Sequence, residues 1–109
     1  MSQSCAPPAS LSTRLSAIDA VALADRLKAL ADPVRLQLVS YILDQESGEA
    51  CTCELAPLVE LSEPTVSHHL KKLEANGLVS KERRGMNVYY RVVPQAIGEI
   101  TAALNAACC

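Results

Sequence analysis

The sequence predicts a mainly α-helical domain that carries one β-hairpin. Segment 61–78 has the pattern of a turn, an amphipathic helix and a stop, and segment 79–93 has β-branched and aromatic residues on both sides of a short turn. A helix, a turn, a second helix and a basic hairpin, in this order, are typical of a winged helix-turn-helix. A chain of 109 residues has room for one such domain.

Three residues mark where the helix of segment 61–78 begins. Ser62 is a favourable N-cap, and Glu63 and Pro64 suit a first helical turn. The apolar residues then recur at helical spacing, at Val66, Leu70 and Leu73. Asn76-Gly77 ends the helix, because glycine readily adopts the left-handed conformation that follows a helix.

The other side chains of this helix are short hydrogen-bonding or basic groups, the kinds that contact bases and phosphates in a major groove. The predicted DNA contacts here are Ser62, Thr65, Ser67, His68, His69, Lys71 and Lys72. Neighbouring histidines on a helix point in different directions, so DNA contact or packing is favoured over metal binding for His68 and His69. Taken alone, the segment also fits a solvated amphipathic helix, and the hairpin that follows favours the DNA-binding interpretation.

The hairpin has a predicted turn at residues 84–87 and must pack on the helices, because an isolated hairpin is marginally stable. Its predicted DNA contacts are Lys81, Arg83, Arg84 and Arg91. Between Thr65 and Arg91 there are six Lys or Arg and two Asp or Glu, a local charge of +4, although the whole chain carries −2. Phosphate contacts need a basic patch rather than a basic protein.

The remaining elements are predicted in order along the chain. Residues 1–13 form a mobile tail, and residues 14–109 form the domain. A first helix covers 15–31, and a second runs from the Asp32-Pro33 cap to Asp44. A loop at 45–50 and a short helix to Val59 precede the turn at 60–62. A last helix runs from Pro94 to the C-terminus.

The last helix carries an apolar stripe of Ile97, Ile100 and Leu104. A small domain gains stability from a partner subunit. We therefore expect a homodimer that forms through the first and last helices.

The five cysteines are predicted to stay reduced. The sequence has no stretch that could span a membrane and no signal-peptide pattern, so we expect a cytoplasmic protein without a membrane partner. Thiols in that compartment are more often metal ligands or reactive groups than members of a disulfide framework.

Cys51 and Cys53 lie just before a predicted helix. A helix N-terminus lowers the pKa of a thiol and makes it a better ligand. Residues two apart on a helix do not face each other, so the pair can bind one ion only where the chain is not helical. A helix start near Leu55 or Ala56 would put Pro57 in the first turn and leave both cysteines free. The alternative is that both are small buried hydrophobic residues.

Four segments together resemble the ArsR/SmtB family of bacterial metal-sensing repressors, over roughly residues 20–107. They are Leu30-Ala-Asp-Pro-Val-Arg-Leu36, Glu49-Ala-Cys-Thr-Cys-Glu-Leu55, Ser62-Glu-Pro-Thr-Val-Ser-His-His-Leu70, and Arg84-Gly85 with Val88-Tyr89-Tyr90. The resemblance implies a homodimer that binds double-stranded operator DNA and releases it when a thiophilic ion binds.

The chain departs from one family pattern at Ala56, where arsenic-sensing members carry a third cysteine. The resemblance implies that the third thiolate is Cys5, or that the vicinal pair Cys108 and Cys109 serves as an alternative or auxiliary site. The zinc ligands on the last helix of other members are replaced by Pro94, Ala96 and Ala107, so that site should be absent.

Soft thiolates select soft ions. Arsenite and antimonite form three bonds, for which Cys51, Cys53 and Cys5 suffice, so As(III) or Sb(III) is the expected inducer. Cd(II) or Pb(II), which favour a fourth thiolate, are the alternative inducers, and a thiol redox sensor is a further alternative. An enzyme such as an arsenate reductase is not expected, because no cysteine is followed by arginine at C-x5-R spacing.

Overall fold

The computed structural model describes the backbone of residues 15–108 and the side chains of residues 15–104. Its elements are α1 (Ala17–Leu30), α2 (Pro33–Asp44), β1 (Glu49–Cys51), α3 (Thr52–Val59), α4 (Glu63–Ala75), β2 (Val79–Arg84), β3 (Asn87–Val92) and α5 (Pro94–Cys108). The predicted mainly α fold with a hairpin is confirmed, α3 and α4 forming the helix-turn-helix and β2–β3 the wing. The predicted tail, 1–13, lies outside the described residues.

The first two helices begin at side-chain caps. The Ser16 hydroxyl accepts from the Asp19 amide at 3.1 Å, and the Asp32 carboxylate accepts from the Arg35 amide at 3.1 Å. The backbone hydrogen bond from Arg35 holds the pKa of Asp32 below its usual value, and the nearby Arg35 and His69 charges act in the same direction. The predicted starts of both helices are thus confirmed to within two residues.

Strand β1 corrects the prediction that residues 45–50 form only a loop. It pairs antiparallel with β3, and the register places Glu49 opposite Arg91, Ala50 opposite Tyr90 and Cys51 opposite Tyr89. A strand of three residues is too short to show a period-two pattern, and Glu and Ala have low strand propensity. Pairing with a distant segment therefore sets its conformation.

Helix α3 starts at Thr52, not near Leu55 or Ala56 as predicted. Cys51 is both the last residue of β1 and the N-cap of α3, and its amide donates to the Glu54 carboxylate at 3.0 Å. Pro57 consequently lies inside the helix, where its missing N–H leaves the Cys53 carbonyl without its usual donor. The predicted end at Val59 is confirmed, and Glu60 follows in a left-handed conformation with φ 59°.

The three strands form one antiparallel sheet in the order β1-β3-β2. The predicted turn at 84–87 is confirmed, because Arg84 and Asn87 pair and Gly85 and Met86 connect them. Gly85 has φ +63°, a conformation that favours glycine. Tyr90 and Val92 are buried, so the sheet packs on the helices as expected.

The core of this chain, which has no Phe or Trp, is aliphatic apart from Tyr90. Its largest fully buried side chains are Leu38, Ile42, Leu55, Leu70, Leu73, Leu78 and Val66. The predicted stripe of α4 is therefore confirmed as core. A hydrogen bond from the Val93 amide to the Leu78 carbonyl at 2.9 Å extends the pairing of β2 and β3 by one residue beyond the strand ends.

An ion pair between Arg26 of α1 and Glu99 of α5 links these two helices. Together they expose large apolar side chains: Ile18 is 82%, Val21 62% and Leu104 56% exposed. The expected homodimer would cover this surface, and it stays a prediction. Among the described residues, no helix is long and apolar enough to cross a bilayer.

Candidate nucleic-acid interface and thiol site

One face of α4 points to solvent and carries its polar and basic side chains. Thr65, His68, Lys71 and Lys72 are exposed and Ser67 is half-buried, whereas the apolar stripe faces the core. In the part of the chain that the structure describes, neither Lys71 nor Lys72 has an ion-pair partner. Both ammonium groups are therefore available to an external anion.

The N-terminus of α4 is fixed by two side chains that were predicted to contact DNA. The Ser62 hydroxyl accepts from the Thr65 amide at 3.3 Å, and the Ser62 and Thr65 hydroxyls share a hydrogen bond of 2.9 Å. Ser62 is thus the N-cap, as predicted. Its hydroxyl orders the first turn and remains at the exposed surface.

His69 faces α2 rather than solvent. Its Nδ1 lies 3.1 Å from Arg35 Nη1, and Arg35 Nε donates to the Ala29 carbonyl. Its side chain is 18% exposed, and Asp32 lies 3.9 Å away. Of the two histidines, His68 is the one exposed on the α4 face, and His69 takes part in the contact between α2 and α4.

Three of the four basic residues of the wing have partners within the protein. The Arg84 guanidinium binds the Glu49 and Glu82 carboxylates and stacks over the Tyr89 ring, 4.6 Å from its centroid. The other two partnered cations are Arg91, 3.0 Å from the Ser47 carbonyl, and Lys81, 3.9 Å from the Glu74 carboxylate.

Arg83 differs from these three. It is exposed, and no ion pair involving it occurs among residues 15–104. Together with Lys71 and Lys72, it is an unpaired cation on the predicted DNA-binding surface of the described chain.

Glu49 is a residue of the site that the sequence did not indicate. Its side chain is 14% exposed and accepts hydrogen bonds from the Arg84 guanidinium, which hold the pKa of Glu49 below its usual value. Only the pairing of β1 with β3 brings this carboxylate to the wing. No local sequence pattern carries that information.

Cys51 and Cys53 come together at the junction of β1 and α3. Their Cα atoms are 5.1 Å apart, and their sulfurs are bonded as a disulfide, whereas the sequence predicted that these cysteines stay reduced. The junction supplies the non-helical geometry that the pair requires, because Cys51 has extended backbone angles while Cys53 is in the first turn. Cys51 is 2% exposed and Cys53 is exposed, so an ion or oxidant would approach from the Cys53 side.

Glu54 connects this junction to α2. One carboxylate oxygen accepts from the Cys51 amide, and the other accepts from the Tyr41 hydroxyl at 3.3 Å. Burial, with the Glu54 charge beside it, raises the pKa of Tyr41. The start of α3 is therefore held from both β1 and α2.

Within the described residues, no group of three or more His, Cys, Asp or Glu side chains could hold a metal ion. The side chains of Cys5, Cys108 and Cys109, the predicted sources of a third thiolate, lie outside that part of the chain. The two sulfurs of Cys51 and Cys53 alone form an incomplete site for an ion that takes three thiolates.

The fold is that of a winged helix-turn-helix regulator. Residues 32–81 match the bacterial regulatory protein arsR family. The arsenical resistance operon repressor of Staphylococcus xylosus is 37% identical over 79 residues, covering 72% of this chain and 73% of that protein. The chain belongs to this family, whose members are regulators rather than enzymes.

Two further comparisons also find transcriptional regulators. The arsenic resistance transcriptional regulator ArsR1 of Pseudomonas putida is 39% identical over 78 residues, which cover 72% of this chain but only 59% of that protein. The crystal structure of the AntR antimony-specific transcriptional repressor superposes with a TM-score of 0.67 and 28% identity, covering 93% of this chain and 92% of that one.

Proposed function

We propose that this protein is a transcriptional repressor that binds operator DNA as a homodimer and releases it when As(III) or Sb(III) binds its cysteine thiolates. The observation that carries the proposal is the junction of β1 and α3, where two cysteines meet at the start of the helix-turn-helix. An ion held there acts on the element that supports α4. The names of the related arsenic and antimony regulators support the choice of ion.

The DNA-binding half of the proposal rests on the exposed face of α4. This helix would enter the major groove, and a dimer would present two such helices about one turn of DNA apart. Its proposed contacts in the groove and on phosphates are Thr65, Ser67, His68, Lys71, Lys72 and, on the wing, Arg83. Ser62, His69, Lys81, Arg84 and Arg91 have partners within the protein, so we assign them mainly to the shape of the surface.

The dimer would form through α1 and α5. Ile18, Val21 and Leu104 are exposed apolar side chains on these two helices, and each loses contact with water when a second copy covers it. Their burial would fix the distance between the two α4 helices. The repressor would act in the cytoplasm, where thiols remain reduced.

The inducer site would take Cys51, Cys53 and a third thiolate. As(III) and Sb(III) need three, and Cys5 or the Cys108 and Cys109 pair would supply it. Cd(II) or Pb(II) remain the alternative inducers, since a fourth thiolate from the same cysteines would suit them.

The ion would act by pulling on the start of α3. Binding an ion between the Cys51 and Cys53 sulfurs and a distant thiolate displaces Cys51, whose amide bonds Glu54. Because α4 packs on α3, its pose in the groove changes. A coupling free energy of about 1–3 kcal/mol is typical of such switches, and by linkage DNA weakens ion binding equally.

The test is operator binding by Cys51→Ser. The variant should bind promoter DNA like the wild type, because serine keeps the backbone and the Glu54 contact, but arsenite should no longer release it. Fluorescence anisotropy of labelled DNA measures both. Release of the variant at the arsenite concentration that releases the wild type would contradict the proposal. Cys5→Ser and a Cys108→Ser/Cys109→Ser double variant then identify the third thiolate.

A second candidate is a thiol redox sensor. The Cα separation of 5.1 Å lies within the range that disulfides span, and the sulfurs are already in contact. Peroxide in the absence of any metal ion would then release DNA from the reduced protein, and added thiol reductant would reverse that release. Arsenite would not release DNA from the reduced protein.

A further inference from the structure

The strand that carries Cys51 is also part of the wing sheet. Strand β1 pairs with β3 along its whole length, and Cys51 lies directly opposite Tyr89. Any displacement of Cys51 therefore reaches β3 through backbone hydrogen bonds, by a route separate from the packing of α3 on α4.

Glu49 fastens the wing to this strand. Its two carboxylate oxygens accept from the two terminal nitrogens of Arg84, one at 2.9 Å, and the Arg91 Nε lies 3.6 Å from Oε1. A two-point contact between carboxylate and guanidinium fixes orientation as well as distance. At 14% exposure, the Glu49 side chain is screened from water more than an ordinary surface ion pair.

The thiol and the carboxylate lie on the same face of the sheet. Residues opposite each other in an antiparallel pair share a face, and so do residues two apart on a strand. Cys51, Tyr89 and Glu49 therefore line one face. Arg84 crosses it, because its guanidinium stacks over Tyr89 and ends at Glu49. The two-point contact between Glu49 and Arg84, which we call the clamp, thus extends across the face of the sheet that contains Cys51.

We propose that Glu49 is a positioning residue: it locks the wing to the strand that bears Cys51, so that an ion at the thiols moves the wing as well as α4. This inference rests on the proposed function. The clamp makes the pose of the wing depend on the position of Cys51, two residues further along the same short strand. Without it, movement of Cys51 would reach β3 only through the backbone pairing with β1 and would not be passed to Arg84 at the turn of the wing.

The experiment compares Glu49→Gln with Glu82→Gln. Both changes remove one negative charge that contacts Arg84, but only Glu49 belongs to β1. For each protein, anisotropy gives the Kd for operator DNA with and without saturating arsenite, and titration gives the Kd for arsenite without DNA. The ratio of the two DNA dissociation constants measures the coupling, and circular dichroism confirms folding.

The wild-type ratio should fall in the range of about 5–150 that is typical of coupled sites. In Glu49→Gln it should fall by about 3-fold or more but stay above one, because the route through α3 and α4 remains, while arsenite affinity stays within about 3-fold of wild type. A purely structural role would weaken DNA binding equally with and without arsenite and leave the ratio unchanged. Arg84→Lys, which keeps the charge but loses the two-point contact, should lower the ratio as much as Glu49→Gln does.

A Glu49→Gln ratio equal to that of the wild type would overturn this inference and leave the proposed function standing. Equal loss in Glu82→Gln would also overturn it, since charge alone would then explain the effect. A wild-type ratio near one would instead overturn the proposed function, and this inference with it.

Discussion

Replacing Ser62 with alanine tests whether the N-cap of α4 prepares that helix for DNA. Ser62 accepts from the Thr65 amide and bonds the Thr65 hydroxyl, so alanine leaves both groups without this partner. Loss of a serine N-cap costs about 1 kcal/mol. In a domain of this size, that corresponds to a melting temperature lower by about 4–8 °C.

The same substitution should weaken operator binding. Without the cap, the first turn of α4 becomes ordered only when DNA binds. The affinity for DNA then falls by up to about 5-fold, the equivalent of 1 kcal/mol. Ser62→Asp separates the two roles, because aspartate caps as well as serine does. It should restore the melting temperature yet bind DNA more weakly at low salt, since its charge repels phosphate.

Ser16→Ala is the matched control. Ser16 caps α1 through the same contact, to the Asp19 amide, but lies on a helix assigned to the dimer. It should lower the melting temperature by a similar amount without changing operator affinity at concentrations where the dimer is complete. The reasoning is refuted if Ser62→Ala leaves both melting and affinity unchanged, or if both alanine variants weaken DNA binding alike.

Three further predictions address phosphate contact, the dimer and acid stability. Arg83→Ala should weaken binding to operator and random DNA alike and reduce the slope of log affinity against log salt by about 0.9, as anisotropy at several salt concentrations would detect. Ile18→Glu places a charge on an exposed apolar face of α1 and should leave the protein monomeric in sedimentation at concentrations where the wild type is dimeric. The lowered pKa of Asp32 means that its contribution to stability is complete above the ordinary value of 3.8 and is lost as the pH falls through the lower folded value. The free energy of unfolding, measured with urea, should therefore depend less on pH in this range for Asp32→Asn than for the wild type. The asparagine amide can still cap the helix.

The helices could be predicted because local chemistry determines where they begin and end. Asp32-Pro33 and Ser62 cap the helices that follow them, and Asn76-Gly77 ends α4, with Gly77 at φ +73°. The spacing of Val66 and Leu70 identified the buried side of α4. Each of these signals lies within a few residues of the feature that it determines.

The features that the sequence did not reveal depend on contacts between distant segments. Strand β1 exists because β3 pairs with it, and this pairing lets Cys51 end a strand and cap α3 at once. Arg84 was predicted to contact DNA as an exposed cation, but Glu49, distant in sequence, binds it. A sequence pattern shows the charge of a side chain and gives no account of which partner neutralises it.

The central claim is that an ion at the cysteine thiolates releases this protein from DNA. The most direct measurement is the anisotropy of labelled promoter DNA bound by the reduced wild-type protein, titrated in parallel with arsenite and cadmium. The account predicts release by arsenite at about one ion per protomer and none by cadmium at the same concentrations. Release by cadmium alone would contradict the choice of ion, and undiminished binding with both ions would contradict thiolate-induced release itself.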